Sequence, residues 1–145
     1  MTDNQESLNN MLTYLKKQHV LSLCSTYEGE IWCANCFYVF DGSEIAFYLM
    51  TAKESRHSIL MLKNNKVAGV INGQPKNISL IKGIQYSGTV SLLEEENNKK
   101  ALDLYVKRFP VAKIKSLPLW KVEITEMKFT NNILGFGNKS VWHRE

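Results

Sequence analysis

Apolar residues recur along the chain with two different periods, and the period separates predicted helices from predicted strands. In residues 5–18 the apolar side chains are spaced three and four positions apart, so they form one stripe on a helix. These residues are Leu8, Met11, Leu12 and Leu15. Elsewhere apolar residues alternate with polar ones or form short runs bounded by turn residues, which is typical of strands. The strands predicted in this way are 19–26, 30–40, 45–50, 66–72, 78–93, 119–130 and 134–143.

Two further helices are predicted between these strands. Thr51 and Glu54 are three positions apart and form a capping box, which predicts a helix that starts directly after the third strand. That helix ends at the polar run 63–65. The other helix, 94–109, has acidic residues at its start and basic residues at its end, which matches the helix dipole. Its predicted buried stripe is Leu102, Tyr105 and Phe109.

The order of the elements predicts a small, mainly β, antiparallel barrel with helices packed outside it. The chain is too rich in strands, and its crossovers are too short, for a doubly wound sheet. Strand 30–40 is apolar on both sides, so we expect the barrel interior behind it and a subunit interface in front. The long strand 78–93 must curve, and Gly83 and Gly88 are where it can bend. We expect one domain covering 1–145.

Composition excludes several classes of protein. Apolar residues at 44% and charged residues at 22% are ordinary for a soluble globular chain. No segment approaches the roughly 20 apolar residues of a membrane span. The first ten residues are polar and acidic, unlike a signal peptide, so we expect a cytoplasmic protein with no membrane partner. The net charge of +4 is dispersed, which gives no support for a nucleic-acid partner.

Three cysteines are present, an odd number that argues against a disulfide framework. Cys33 and Cys36 form a Cys-x-x-Cys motif, but residues three apart on a strand point to opposite faces. Such a pair cannot readily share one disulfide or one metal ion. We therefore predict no metal site and favour buried, inert thiols, with zinc binding or thioredoxin-like chemistry as the alternative.

Hydroxyl and basic side chains are concentrated between the third strand and the helix that follows it. They are Thr51, Lys53, Ser55, Arg56 and His57. At a helix N-terminus, free backbone N–H groups and the positive end of the dipole add to these side chains, and such a spot suits an anion, above all a phosphate. The alternative is that the hydroxyls are ordinary helix caps and that Arg56 is a solvated helix residue.

The same segment resembles a pattern of the flavin-binding split-barrel families related to pyridoxamine 5'-phosphate oxidase. There a strand ends in Thr, a Ser-Arg-Lys-like triplet follows on a short helix, and an Asn-Pro-x-Val-Ala-like step leads into the next strand. Thr51, the triplet Ser55, Arg56 and His57, and the segment 64–68 match that pattern. Because these positions hold the FMN phosphate in that superfamily, the resemblance implies that Thr51, Ser55, Arg56 and His57 bind FMN.

Two residues depart from the family pattern, and two others are added to the candidate site. His57 stands where Lys or Arg is usual, and Asn65 stands where Pro is usual. A histidine with a pKa of about 6.5 is only partly charged at neutral pH, which weakens a phosphate contact. Asn35 lies inside an apolar strand and needs partners, either a flavin ring edge or the backbone. Lys82 falls on an apolar face and either extends to the rim or contacts a ligand phosphate.

Over nearly its whole length the chain is similar to a small bacterial family, the YhbP-like proteins. The similar segments are KKQHV, GEIWCANCFYVFD, TAKESRH, VAGVINGQPK, IKGIQYSG, KRFPVAK, EMKFTNN and LGFG. These resemblances imply an FMN-binding split β-barrel that forms a homodimer with FMN at two symmetric interface sites. They imply no particular reaction.

The leading functional hypothesis is therefore an FMN-dependent oxidoreductase of unknown substrate. The sequence shows no paired carboxylates and no Ser/His/Asp set, which is consistent with chemistry carried by a cofactor and equally with no catalysis. The alternative is a non-catalytic flavin-binding or haem-binding protein, since some split-barrel relatives bind haem, and His19, His57 and His143 would then be the candidate axial ligands. A pure interaction protein is the third possibility.

Overall fold

The computed structural model describes residues 3–113 and 117–145, which form three α-helices, seven strands and four short 3-10 turns. The helices are α1 (Asn4–Lys17), α2 (Arg56–Lys63) and α3 (Lys99–Arg108). The strands are β1 (Val20–Tyr27), β2 (Glu30–Asp41), β3 (Ala46–Met50), β4 (Lys66–Asn72), β5 (Lys82–Leu92), β6 (Leu119–Asn131) and β7 (Lys139–His143). The 3-10 turns are Ile78–Leu80, Glu95–Asn97, Pro110–Lys113 and Asn132–Leu134. Part of the predicted connector 111–118 lies outside the described residues.

The seven strands form one antiparallel sheet that closes on itself. Their order is β3-β2-β1-β4-β5-β6-β7, and β3 also pairs with β6, so that six strands make a barrel and β7 extends from β6. β1 and β2 are joined by the two-residue turn Glu28-Gly29, in which both residues have a positive φ. The antiparallel barrel predicted from the order of the elements is therefore confirmed.

Alternate side chains from every barrel strand fill the interior. The fully buried ones include Leu21, Leu23, Tyr38, Phe47, Leu49, Ile71, Trp120, Val122 and Ile124. Met11 and Leu15 of α1 and Met61 of α2 belong to the same core. Burying a side chain of this size contributes about 1.5–3 kcal/mol, so this shared core fixes α1 and α2 against the barrel.

α3 packs on the outside of the barrel, against β2 and β3. Ala101 and Tyr105 of α3 form a second core with Val39 of β2 and Tyr48 of β3. Val39 is on the opposite side of β2 from Tyr38, whose ring lies in the barrel. Residues 38–41 of β2 are thus buried on both sides, but α3 covers the side where a subunit interface was expected, and residues 30–33 are exposed on both sides.

The predicted capping box at Thr51 and Glu54 is wrong. α2 begins at Arg56, and its N-cap is Ser55, whose side chain accepts a hydrogen bond from the backbone N–H of Ser58 at 3.3 Å. Thr51 instead continues the strand direction, and its N–H donates to the carbonyl of Pro118. This tertiary contact holds Thr51 outside the helix, so the first turn starts four residues later than predicted.

Three other predicted boundaries also shift. The strand predicted over 78–93 begins at Lys82, because Ile78 and Leu80 form a 3-10 turn capped by the side chain of Asn77. The strand predicted over 134–143 begins at Lys139, after two glycines with positive φ. The helix predicted over 94–109 begins as the 3-10 turn Glu95–Asn97 and becomes α-helical only at Lys99.

The bend predicted at Gly88 coincides with a register shift between β5 and β6 at Ser87 and Gly88, whereas the pairing at Gly83 is regular. A Cβ at Gly88 would lie 2.6 Å from the carbonyl oxygen of Glu123, so glycine permits this close approach of two strands. No helix in the described part of the chain combines the length and apolar character that crossing a membrane requires.

Candidate functional site

The residues between β3 and α2, 51–57, form a compact polar cluster that we call the β3–α2 corner. The Nε2 atom of His57 lies 2.8 Å from the hydroxyl of Thr51 and 3.3 Å from the hydroxyl of Ser55. Three of the residues predicted to bind a phosphate are therefore brought together around one imidazole ring. Lys53 is exposed to solvent in the same segment.

The corner is held in place from both sides. The indole N–H of Trp120 donates to the carbonyl of Thr51 at 3.0 Å, and Trp120 is buried in the barrel. The hydroxyl of Ser55 lies 2.9 Å from the carbonyl of Ala52 and 2.7 Å from the hydroxyl of Ser58. Because these groups already bond one another, the corner is a pre-ordered polar surface at the start of α2.

His57 contributes hydrogen bonding to the corner. Burial lowers the pKa of its imidazole below the ordinary value, because desolvation disfavours the charged form. The ring is therefore neutral at pH 7, and one of its nitrogens donates while the other accepts. Beside the imidazole, positive charge comes from Arg56 and from the helix dipole, while Lys53 and Glu54 of the same segment are exposed and opposite in sign.

Arg56 is held by two residues of the β1–β2 hairpin. Its Nε atom donates to Glu30 Oε2 at 2.7 Å, with both side chains about half exposed. Its guanidinium carbon lies 4.0 Å from the centroid of the Trp32 ring, in a cation–π contact. Glu30 uses one of the five N–H donors of Arg56, and the guanidinium has two further nitrogens with which to bind an anion.

Glu30 and Trp32 were not found by sequence reasoning, although one signal was available. They are two positions apart on a strand, so their side chains share a face, and they lie next to the tight turn of the hairpin. What the sequence does not contain is the packing of α2 on this hairpin. That packing is seen in the hydrogen bond from Asn64 Nδ2 to the carbonyl of Thr26 at 2.9 Å.

Asn35 and Lys82 lie away from the corner. Asn35 is five residues along β2 from Glu30, which is about 16 Å, and its Oδ1 accepts from the hydroxyl of Ser22 at 3.1 Å. Lys82 is at the start of β5, about 33 Å along the strand from Leu92 at its other end. Its carbonyl accepts from the hydroxyl of Tyr14 on α1 at 3.0 Å. The structure therefore does not bring Lys82 to the predicted phosphate site, and Asn35, which was predicted to meet a flavin ring edge, lies away from the corner on β2.

Asn35 instead lines a polar groove of about 440 Å³ on the outside of the barrel, together with residues of β1, β4 and the loop after β4. The same side carries apolar residues that the chain itself leaves uncovered. We call this side, formed by the outward side chains of β1, β2 and β4, the outer face. Its large exposed apolar residues are Ile31 at 68%, Phe37 at 54% and Val70 at 38% exposure.

The three histidines have different surroundings. His57 faces Thr51, as described, and His143 Nδ1 lies 3.5 Å from Glu126 Oε2 at the surface. His19 is exposed, and its ring is stacked near Phe37, with 6.1 Å between the ring centroids. Phe37 also lines an apolar groove of about 300 Å³ with Tyr105 and Phe109. His19 is thus the histidine next to an open apolar groove.

The cysteines follow the prediction in one respect and contradict it in another. Cys36 is buried and Cys33 is exposed, so the Cys-x-x-Cys pair points to opposite faces as predicted. The expectation of buried, inert thiols is wrong for Cys33, whose sulfur lies 2.6 Å from that of Cys24 on the neighbouring strand. Among the described residues, no group of three or more His, Cys, Asp and Glu side chains is placed to hold a metal ion.

Known proteins resemble the chain in sequence, although no family model matches it. The UPF0306 protein YhbP of Escherichia coli strain SMS-3-5 is 45% identical over 139 residues, which are 96% of this chain and 95% of that protein. A UPF0306 protein of Yersinia pseudotuberculosis is 52% identical over 131 residues, 90% of this chain and 89% of that protein.

Solved structures resemble the chain in fold. A heme binding protein from Mycobacterium smegmatis has a TM-score of 0.75 at 14% identity, covering 99% of this chain and 59% of that chain. Campylobacter jejuni ChuZ has a TM-score of 0.76 at 17% identity, covering 99% and 64%. A FAD-binding protein from Mesorhizobium loti has a TM-score of 0.69 at 12% identity, covering 83% and 91%. At these identities the likeness is one of fold, and it confirms the split β-barrel.

Proposed function

We propose that this chain, which belongs to the UPF0306 family, is a flavin-binding protein that holds the phosphate of FMN at the β3–α2 corner. The observation that carries the proposal is the gathering of Thr51, Ser55 and His57 at the start of α2, beside Arg56. The Mesorhizobium loti protein of similar fold is a FAD-binding protein, which supports a flavin as the ligand.

The corner offers donors that fit a phosphate. The N–H groups of Arg56 and His57 are in the first turn of α2 and have no acceptor within the helix. The positive end of the helix dipole points the same way. Arg56 adds a charged fork whose planar geometry suits two phosphate oxygens. Glu30 opposes the phosphate by its own charge, so the affinity reflects the balance between these two side chains.

We propose further that a second copy of the chain covers the outer face, giving the homodimer expected from the sequence. Exposed apolar residues on β2 and β4 support this assignment, because an uncovered apolar face of a sheet is typical of an interaction surface. Asn35 lies on this face and would then be near the interface, where a flavin ring edge can use its amide. Lys82 has no role in this arrangement.

As an enzyme, the protein would be an FMN-dependent oxidoreductase. Bound FMN supplies the electron or hydride transfer, while the protein binds and orients the cofactor. A panel of NADH, NADPH and reduced deazaflavin as electron donors, assayed with the FMN-loaded protein, tests this step. If the FMN-loaded protein oxidises one donor faster than free FMN does, the result supports an enzyme. If every donor is oxidised at the rate seen with free FMN, the result supports a non-catalytic flavin carrier.

Haem binding is the second candidate function. The position of His19 beside the apolar groove at Phe37 favours it, since a haem needs both an axial imidazole and an apolar surface. The Mycobacterium smegmatis protein of similar fold is a heme binding protein. The absorption spectrum of the protein after addition of FMN or of haem separates the two candidates, because binding shifts and sharpens the Soret band of haem in the one case and the flavin bands in the other.

The first prediction concerns Arg56. Replacing Arg56 by Ala removes a charge-assisted phosphate contact worth about 1.5–3 kcal/mol, so we expect the Kd for FMN to rise more than tenfold. Titration of FMN with protein, followed by quenching of flavin fluorescence, measures the Kd.

Lys63 is the matched control, because it is at the C-terminal end of the same helix and its replacement by Ala changes the net charge equally. An unchanged Kd in Arg56→Ala, or an equal rise in Lys63→Ala, would remove Arg56 from the phosphate site.

A further inference from the structure

Cys24 and Cys33 are directly opposite each other on neighbouring strands. They are register partners in the pairing of β1 with β2, and their sulfur atoms are 2.6 Å apart, with one thiol donating to the other. Cys24 is half-buried and Cys33 is exposed, so in the single chain the pair is open to small solutes from the outer face.

The geometry of the hairpin favours a bond between these two sulfurs. In a hairpin with a two-residue turn, Tyr27 and Glu30 exchange backbone hydrogen bonds, and hydrogen-bonded and non-hydrogen-bonded pairs alternate from there. Cys24 and Cys33 are three pairs further and form a non-hydrogen-bonded pair. The Cα atoms of such a pair are about 4.5 Å apart, which lies in the range of about 4.4–6.8 Å that a disulfide spans.

The third cysteine lies apart from this pair. Cys36 is on the opposite side of β2, inside the barrel, where burial raises the pKa of its thiol to about 11. The pKa of Cys24 is also raised to about 11, but mainly by its hydrogen bond to Cys33. A thiol inside the core meets no oxidant, whereas the Cys24–Cys33 pair is at the surface.

We propose that Cys24 and Cys33 form a reversible dithiol–disulfide site that small-molecule disulfides of the glutathione type oxidise. This inference rests on the hairpin geometry alone and not on the proposed flavin site. In a reducing compartment the dithiol is the resting form, and the disulfide forms when the thiol pool becomes oxidised.

The reaction takes place in two exchange steps. The thiolate of Cys33, the more exposed residue, attacks one sulfur of oxidised glutathione and releases one glutathione thiolate, leaving a mixed disulfide on Cys33. The thiolate of Cys24 then attacks the sulfur of Cys33 and releases the second glutathione. Two protein thiols are oxidised to one disulfide, and one oxidised glutathione is reduced to two thiols.

The test equilibrates the native protein with mixtures of reduced and oxidised glutathione under argon, and then traps free thiols by acid quenching and alkylation. We expect the intact mass of the unalkylated protein to fall by about 2 Da, with two fewer alkylated thiols, and to recover on addition of dithiothreitol. The extent of oxidation should not depend on protein concentration, because the bond is intramolecular. A second copy on the outer face would slow the approach to equilibrium, so the mass is followed until it is constant.

Peptide mapping locates the bond. Residues 18–53 contain all three cysteines and no Lys or Arg before residue 53, so trypsin alone does not separate them. Cleavage after Glu28 or Glu30 splits the hairpin at its tip and leaves two peptides joined by a Cys24–Cys33 bond. The expected map has this linked pair with Cys36 alkylated.

Three variants and an unfolded control make the result decisive. Cys36→Ser should keep the 2 Da change, whereas Cys24→Ser and Cys33→Ser should lose it, with circular dichroism showing that each variant is folded. The native protein should reach half-oxidation at a ratio of oxidised to reduced glutathione at least tenfold lower than the urea-unfolded protein, because the sheet holds the sulfurs together. Absence of the intramolecular bond, a bond involving Cys36, or a native protein that is harder to oxidise than the unfolded chain would each overturn the proposal.

Discussion

Glu30 sets how much of the charge of Arg56 is available to an anion. The carboxylate and the guanidinium are 2.7 Å apart, and the guanidinium also lies over the ring of Trp32, so the side chain is oriented before any ligand arrives. Orientation of this kind reduces the entropy lost on binding. The same carboxylate, however, repels a phosphate that approaches Arg56. The two effects can be separated by a substitution that keeps the hydrogen bond and removes the charge.

Replacing Glu30 by Gln keeps an acceptor for Arg56 and removes the negative charge. We expect the Kd for FMN to fall about two- to fivefold, since exposed charge pairs of this kind contribute about 0.5–1 kcal/mol. Fluorescence titration measures the effect. Glu28→Gln, at the exposed tip of the same hairpin, makes the same change of net charge away from Arg56 and should leave the Kd as it is. Weaker binding by Glu30→Gln would mean that orientation of Arg56 outweighs repulsion.

His57 makes the stability of the protein depend on pH. Its folded-state pKa is below the ordinary value because of burial, so between that lowered pKa and about 6.5 the unfolded chain binds more protons than the folded one. Stability contributed by the neutral ring is therefore complete above pH 6.5 and declines as pH falls below it. We expect His57→Gln to lose less free energy of unfolding between pH 7 and pH 5 than the parent protein, measured by urea unfolding. A His57→Gln variant with the same pH dependence as the parent would show that the imidazole is protonated equally in the folded and unfolded states.

At the scale of the elements, α2 shows what local sequence signals can and cannot decide. The apolar run after residue 57 predicted the helix and its end correctly. Its start was wrong because two hydroxyl residues compete for the N-cap, and a contact with Pro118, far along the chain, removes Thr51 from the competition. The residues that form the corner were predicted as a group, since they are adjacent in sequence. The positions of Glu30, Trp32 and Cys24 beside their partners depend on how the elements pair and pack. Counting cross-strand pairs from the hairpin turn would have identified only Cys24, as the partner of Cys33.

The cap of α2 can be tested by a pair of substitutions. Ser55→Ala removes the N-cap and should lower the free energy of unfolding by about 1 kcal/mol. Glu54→Gln removes the charge that a capping box at Thr51 would use, and should change stability by less than about 0.5 kcal/mol because Glu54 is exposed and is not an element of the observed cap. Urea unfolding measures both. A larger loss of stability in Glu54→Gln than in Ser55→Ala would support the predicted capping box of Thr51 and Glu54 over the observed cap.

At the scale of the whole molecule, the outer face is where assembly can be tested. Ile31 is 68% exposed on this face, so Ile31→Lys perturbs the single chain little but places a charge inside the proposed interface. We expect the variant to be monomeric where the parent protein is a dimer, as measured by size-exclusion chromatography with light scattering. Leu134→Lys is the matched control, because Leu134 is 70% exposed in the 3-10 turn before β7. A monomeric parent protein, or dissociation by Leu134→Lys alone, would contradict the assignment of the interface.

The class of fold could be predicted because apolar alternation and turn signals are local features of the sequence. The order of the strands could not, because strand pairing joins distant segments. β4 lies next to β1 and β5, and no local pattern selects those neighbours. Asn35 lies on the outer face because alternate residues of a strand point to opposite sides, which the sequence pattern shows. The distance between Asn35 and the β3–α2 corner depends on the barrel as a whole. Lys82 became a candidate because it interrupts an apolar face in the sequence. In the barrel it lies at the start of β5, about 33 Å along the strand from Leu92.

The pairing of β3 with β6 has a consequence for synthesis. Ala46–Met50 must find partners that begin at Leu119, so this seam cannot form until the ribosome has made more than four-fifths of the chain. Until then the edges of β3 and β5 are open to pairing with other nascent chains. A closure that depends on such distant segments is slow compared with helix formation. Chaperone binding to the growing polypeptide should therefore be strongest after β5 emerges and should end when β6 is released.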